Sequence, residues 1–247
     1  MCELYGLSSN RARTGRASAL PDFRVRGGGN ADNPDGWGVA WSDMGAFRLE
    51  KAPEPAFRSQ TFDQLIDHLR SDLIIAHVRK ARFPPVNTSR NTHPFLRACC
   101  GRIWAFAHNG LVPAVVALEA SNNDRVCEPE GETDSEFAFC HLLSHATRHF
   151  ATTTDDWPTM LGAVSALIAR HGQFNFLLSD GEHLIAYGHD RLHYRETTGV
   201  EHTVEVATEP LCGRPDWIPF ARGELRIWRA GALVRHIPTQ LSDRALP

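Results

Sequence analysis

A cysteine at position 2 stands where a nucleophile can carry its own base. Cys2 follows Met1 directly in Met1-Cys2-Glu3-Leu4-Tyr5-Gly6, and Met before so small a residue is the context in which the initiator is trimmed. Trimming would leave one residue bearing both a thiol and a free α-amine. The thiol attacks only as thiolate and is mostly protonated at neutral pH, whereas an α-amine titrates near ~8 and can take that proton. Taken alone, the same cysteine also reads as a small apolar residue opening a buried strand.

Four further clusters of polar residues stand at the ends of apolar runs or in the loops between them. They are His77-Val78-Arg79, Asn91-Thr92-His93-Pro94-Phe95, His108-Asn109-Gly110, and Gly131-Glu132-Thr133-Asp134-Ser135-Glu136. Each has a plain structural reading. Arg79 suits a strand-end charge, Asn109-Gly110 a hairpin turn, and Asp134 a first-turn acid facing the helix macrodipole. His141, His145 and His149 recur at i, i+4 and i+8, a spacing that can place two imidazoles on one metal. No carboxylate or cysteine pattern supports such a site, so no metal or other cofactor is expected.

The elements that must position these groups are legible as patterns. Residues 2–7 read as a short strand, and residues 8–26 as polar and irregular. The Gly- and Pro-rich residues 26–36 form a long loop. Residues 37–41 resume a strand, with Gly38 marking close approach of another backbone, and residues 47–51 are its hairpin partner. Ser59 caps a helix that turns Phe62, Leu65, Ile66 and Leu69 inward. Residues 73–79 and 102–108 are strands apolar on both faces, the first followed by a loop holding Pro84, Pro85 and Pro94, the second stopped by Asn109-Gly110. Residues 113–120 suit a short helix. Thr133-x-x-Glu136 is a capping box for a helix with Phe139, Leu143, Ala146 and Phe150 on one face. Pro158 and Gly172 bracket another, with Leu161, Val164 and Ile168 inward. Residues 174–178 and 184–187 form a hairpin, and 204–208, 224–229 and 232–237 are further strands.

Composition narrows the function classes. The chain has 247 residues, 42% hydrophobic and 22% charged, with a net charge of −3, which gives no basic footprint for nucleic acid. No apolar run approaches the ~18 residues needed to span a bilayer, and no signal core follows the N-terminus. A cytoplasmic location is expected. The six cysteines, Cys2, Cys99, Cys100, Cys127, Cys140 and Cys212, contain no C-x-x-C pair and are expected to remain reduced.

With Cys2 and the glycine-rich segment at residues 27–38, the four clusters resemble the class II glutamine amidotransferases, members of the N-terminal-nucleophile hydrolases. The likeness is to stand-alone members without a synthase domain; it covers nearly the whole chain and rests on the order and spacing of five motifs. It implies an α+β fold, a four-layer αββα sandwich of two mainly antiparallel sheets between helices, in one domain over residues 1–247. It implies that Cys2 attacks the amide of glutamine or another γ-glutamyl compound to give a thioester, its α-amine moving the proton. The Asn109 side chain and the Gly110 N–H match the oxyanion hole, where one donor is typically worth ~3 kcal/mol of barrier. Arg79 matches the arginine that forks onto the α-carboxylate, and Asp134 the acid that binds the α-ammonium.

Two more positions join the substrate-binding set through the resemblance. His93 matches a position near the site and reads as a structural histidine orienting its loop. Trp37 matches the loop that wraps the site, with a core aromatic as the alternative. Where such relatives carry Thr and His three and four positions after the arginine, this chain has Arg82 and Phe83, which suits a γ-glutamyl peptide with a larger leaving group. The implied partners are a small γ-glutamyl substrate and, for ammonia transfer, a separate synthase or ammonia-acceptor protein. The rival readings are a γ-glutamyl hydrolase without ammonia transfer and a non-catalytic subunit that retains the scaffold.

Overall fold

Strands apolar on both faces need cover on both sides, and the chain meets that demand by stacking two sheets and flanking them with helices. The structure, a computed structural model, describes residues 1–82, 86–150 and 157–239, the side chains of 146–150 excepted. In chain order the elements are β1 (Glu3–Thr14), α1 (Leu20–Arg26), β2 (Trp37–Asp43), β3 (Ala46–Ala52), α2 (Gln60–His68), β4 (Arg70–Val78), β5 (Phe95–Cys99) and β6 (Arg102–Leu111). There follow α3 (Ala114–Ala120), α4 (Asp134–Phe150), α5 (Trp157–Ala169), β7 (Gln173–Ser179), β8 (His183–Gly188), β9 (His193–Thr197), β10 (Thr203–Ala207), β11 (Ile218–Pro219), β12 (Glu224–Arg229) and β13 (Ala232–Pro238).

All strand pairings are antiparallel. One sheet has the order β11-β9-β10-β1-β4-β2-β3, the other β13-β12-β8-β7-β6-β5. Alternation along each strand divides the core into three layers. On the outer face of the first sheet, Tyr5, Trp37, Ile74 and Ala76 pack under Phe23 of α1 and Phe62 and Ile66 of α2. Between the sheets, Leu4, Ala40 and Ile75 meet Ala105, Ala107, Leu177 and Ala186, where small side chains let the sheets approach closely. On the far face, Phe106, Phe174 and Phe176 pack under Phe139 and Leu143 of α4 and Leu161, Val164 and Ile168 of α5. The result is the four-layer αββα sandwich.

The sequence expectations need several corrections. β1 does not stop at residue 7 but runs to Thr14 through a register shift after Ser8, its polar half held by backbone pairing with β4 and β10 rather than by burial. α1 lies within the stretch expected to be irregular; its seven residues bury only Leu20 and Phe23, too few to leave a helical pattern. β5 and β9 were not expected. Asn109-Gly110 makes no turn, because β6 continues to Leu111, pairing Asn109 with Asn175 and Gly110 with Phe174. Cys127 and Cys140 form a disulfide with Cα atoms 5.6 Å apart; the loop before α4 folds back onto that helix, a tertiary proximity that cysteine spacing did not reveal. Phe83, Pro84 and Pro85, and the side chains of Ala146, His149 and Phe150, lie outside the described residues.

Other expectations hold at atomic detail. The Ser59 side chain accepts the Phe62 N–H at 3.3 Å as the α2 cap. Of the capping box, the Thr133 half forms, its Oγ1 accepting the Glu136 N–H at 3.3 Å, but the Glu136 carboxylate takes the N–H groups of Gly131 at 2.7 Å and Glu130 at 3.0 Å, in the loop ahead of the cap. Gly38 lies against the loop before β5, where an added Cβ would sit 2.2 Å from the His93 carbonyl oxygen. We therefore expect Gly38→Ala to cost about 2–3 kcal/mol in urea unfolding. Gly45→Ala, at φ +81° with no neighbour within 4 Å, should cost only about 1 kcal/mol from its left-handed backbone. Equal losses at the two glycines would contradict the close packing at Gly38.

Candidate active site

The ends of β1, β4 and β6 and the first turn of α4 converge on a cavity of about 370 Å³, within the range of small-molecule sites. Cys2, Arg79, Arg82, His93, His108, Gly110 and Asp134 all line it. The Cys2 thiol donates to the Lys80 carbonyl at 3.4 Å and its sulfur accepts the Lys80 N–H at 3.2 Å. Burial pushes the thiol above its ordinary range, while that backbone N–H and the Arg79 charge pull the other way. Such a thiol needs a base to become a nucleophile.

Arg79 is 8% exposed at the end of β4. Burial pulls its guanidinium downward in pKa, opposed by Cys2 and Asp35; guanidinium remains protonated regardless. Asp134 opens α4, and its Oδ2 accepts the Val112 N–H at 2.7 Å. That bond ties the acid to the chain just beyond Gly110. Gly110 itself has φ +136°, and a Cβ there would fall 2.0 Å from the Gln173 carbonyl oxygen. Only glycine fits this close approach between β6 and β7.

Three buried histidines lie around the cavity floor. His77 and His93 stand 4.3 Å apart between ring centroids, and among the described residues no hydrogen-bond partner meets either ring's nitrogens. His108 Nε2 donates to the Gln173 carbonyl at 3.2 Å, so its Nδ1 accepts from the Ser135 hydroxyl at 2.8 Å in the neutral ring. Burial and the Arg79 charge lower His77 to about 3. Burial also holds His93 well below the usual histidine range, and it lowers His108 against the pull of Asp134. All three rings are neutral at neutral pH.

Two expected site residues sit elsewhere than the cavity wall. Trp37 is fully buried with its ring 4.7 Å from Phe62, in the helix-covered layer of the first sheet; it is a core aromatic, because alternation along β2 turns it away from the site. Asn109 points its amide at the backbone of Cys2, Nδ2 donating to the Cys2 carbonyl at 3.0 Å and to Thr208 Oγ1 at 2.9 Å. Thr208 was missed by sequence reading. Its Oγ1 also accepts the Leu4 N–H at 2.9 Å, so one buried hydroxyl fixes the start of β1. Only the expected strand at residues 204–208 hinted at it, and a lone Thr at a strand end carries no signal.

The histidine stripe on α4 has a structural role where it is described. His141 Nδ1 donates to the buried Glu119 carboxylate at 2.9 Å, and its ring lies 4.4 Å from that of His145. Among the described residues no group of three or more His, Cys, Asp or Glu side chains is arranged to hold a metal. No helix among them is long and apolar enough to cross a membrane.

A four-layer αββα sandwich with Cys2 at a cavity beside the start of β1 fits the expected N-terminal-nucleophile hydrolase architecture. Comparison with known proteins narrows this. Residues 1–198 match the model of the class-II glutamine amidotransferases. The chain is 33% identical to the YafJ protein of Escherichia coli K12 over 260 residues, covering 95% of this chain and 100% of that protein. It is 28% identical to the gamma-glutamyl-hercynylcysteine sulfoxide hydrolase of Mycobacterium tuberculosis over 188 residues, or 75% of this chain and 71% of that one. The crystal structure of a predicted glutamine amidotransferase from Pseudomonas aeruginosa aligns with a TM-score of 0.68 at 28% identity, covering 95% of this chain and 100% of that one. The chain belongs to the class II glutamine amidotransferase family, and is an enzyme.

The neutral histidines link pH to stability with a definite sign. In the unfolded chain histidines take up protons near ~6.5, whereas His77 in the fold resists until about 3, so the unfolded state binds more protons as pH falls. Stability is therefore fully present above ~6.5 and declines below it. The urea midpoint should fall between about pH 7.5 and about pH 5, and His77→Asn should flatten that slope. An unchanged slope in the variant would show that His77 does not stay neutral.

Proposed function

We propose that this enzyme hydrolyses glutamine or another γ-glutamyl amide through a γ-glutamyl thioester on Cys2. The observation that carries the reading is convergence: a thiol, a buried arginine, an acid and a glycine from four separate chain segments line one cavity. Arg79 would take the α-carboxylate and Asp134 the α-ammonium. Gripping both poles fixes the amide carbon over sulfur, and such orientation can be worth several kcal/mol.

Removal of Met1 would give Cys2 the α-amine that its burial-raised thiol requires. The amine takes the thiol proton as sulfur attacks the amide carbon. The tetrahedral oxyanion is received by the Gly110 N–H and by Asn109 Nδ2, the latter exchanging the Cys2 carbonyl for the new oxygen. Collapse expels ammonia or an amine, which leaves with the proton. Water then attacks the thioester, releasing the γ-carboxylate and restoring the thiol. Use of the released ammonia by a separate synthase would make this an amidotransferase reaction.

A second reading is supported by Arg82, exposed at the cavity rim where the resemblance places a threonine in glutamine-specific members. A long cation there suits a leaving group larger than ammonia, and one relative carries the name of a hydrolase of a γ-glutamyl compound. Steady-state hydrolysis of glutamine and of a panel of γ-glutamyl peptides separates the two. At least one γ-glutamyl compound should turn over, Cys2→Ala should abolish turnover, and Asn109→Ala should lower kcat about a hundredfold. Silence on every compound, or turnover surviving Cys2→Ala, overturns the proposal.

A further inference from the structure

The Arg79 guanidinium is held from behind. Its Nη1 donates to Asn87 Oδ1 at 2.8 Å, and the Asn87 amide donates in turn to Asp35 Oδ1 at 3.3 Å. Asp35 Oδ2 accepts the Ala81 N–H at 2.8 Å. The backbone repeats the link, Arg79 N–H donating to the Gly36 carbonyl at 2.8 Å and Asp35 N–H to the Arg79 carbonyl at 3.0 Å. Two loops remote in sequence are thereby joined around one cation. Asn87 is exposed, so burial does not account for its place in this chain of bonds.

The choice of groups fits a carboxylate anchor. An arginine side chain surrenders about 2 kcal/mol of rotamer entropy when fixed, and a bidentate grip needs two parallel N–H groups aimed together. Holding the third edge of the fork with a neutral amide orients it without cancelling its charge. A carboxylate in direct contact at that edge would compete with the incoming anion. The fold instead puts the negative charge one bond further away, on Asp35.

We propose that Asn87, backed by Asp35, is a positioning residue that orients Arg79 toward the α-carboxylate of the substrate. This rests on the reading of Arg79 as the carboxylate anchor of a γ-glutamyl site. The test compares two reagents that alkylate Cys2 in the native protein. One is a diazoketone analogue of glutamine, which carries the α-carboxylate and α-ammonium; the other is iodoacetamide, which carries neither. The measured quantity is the ratio of their second-order rate constants at Cys2, followed by peptide mass mapping, because Cys100 and Cys212 are also exposed free thiols.

Asn87→Ala should lower that ratio about tenfold, the scale of one hydrogen bond to a charged group. Asn87→Asp, which keeps an acceptor for Arg79 but adds a negative charge, should lower it further. General damage to the fold would slow both reagents and leave the ratio unchanged. An unchanged ratio in Asn87→Ala overturns the proposal, as does a raised one, which would mean that Asn87 competes with the substrate for Arg79. If the wild-type protein reacts with iodoacetamide but not with the analogue, the γ-glutamyl reading itself fails, and this inference with it.

Discussion

The side-chain amide of Asn109 is the rivet between the two sheets at the point where chemistry is expected. Asn109 belongs to β6 of the six-stranded sheet, while its Nδ2 donates to the Cys2 carbonyl and to Thr208 Oγ1, which flank the neighbouring interior strands β1 and β10 of the seven-stranded one. Asn109 and Thr208 are buried, so losing the bond between them would leave a buried polar atom unpaired, at a cost of about 1–3 kcal/mol. The Thr208 bond holds β6 to the chain just beyond β10, and the bond to the Cys2 carbonyl brings Cys2 beside β6. The relation of Cys2 to Arg79 is set separately, because β4 is registered on β1 with Val78 opposite Glu3.

Around this fixed point the charges are arranged to leave work for a bound ligand. A cation and an acid come from different elements, β4 and α4, and the histidines between them are neutral because burial denies them protons. A zwitterion would complete both ends at once. Water and small anions would satisfy only one. The thiol is pushed toward its protonated form by the same burial, which is why the proposed reaction needs a base beside the sulfur.

What was legible in the chain was whatever local patterning controls. Leu73 to Val78 and Ile103 to Ala107 alternate between layers yet are apolar on both faces, and that alone announces central strands. Ser59, Thr133 and Gly38 act within a turn or through their own missing side chain, and each does what its type suggests. The cluster of Cys2, Arg79, His93, Gly110 and Asp134 at one cavity was legible only through the likeness of five motifs to a family. Nothing local in these residues says that they meet.

What was not legible depends on distant partners. The polar second half of β1 is a strand because Ser9 lies opposite Thr203 and Arg13 opposite Ser71. Thr208 matters because Leu4, 204 positions away, donates to it, and Cys127 meets Cys140 because a loop turns back. Trp37 joined the site set only through the resemblance, and strand alternation turns it into the core, its alternative reading. The most direct test of the account is a crystal structure of the protein after reaction with a glutamine-like electrophile. The adduct should be on Cys2, its carboxylate on Arg79, its ammonium on Asp134 and its oxygen facing the Gly110 N–H. An adduct on another cysteine, or one whose carboxylate points away from Arg79, would contradict it.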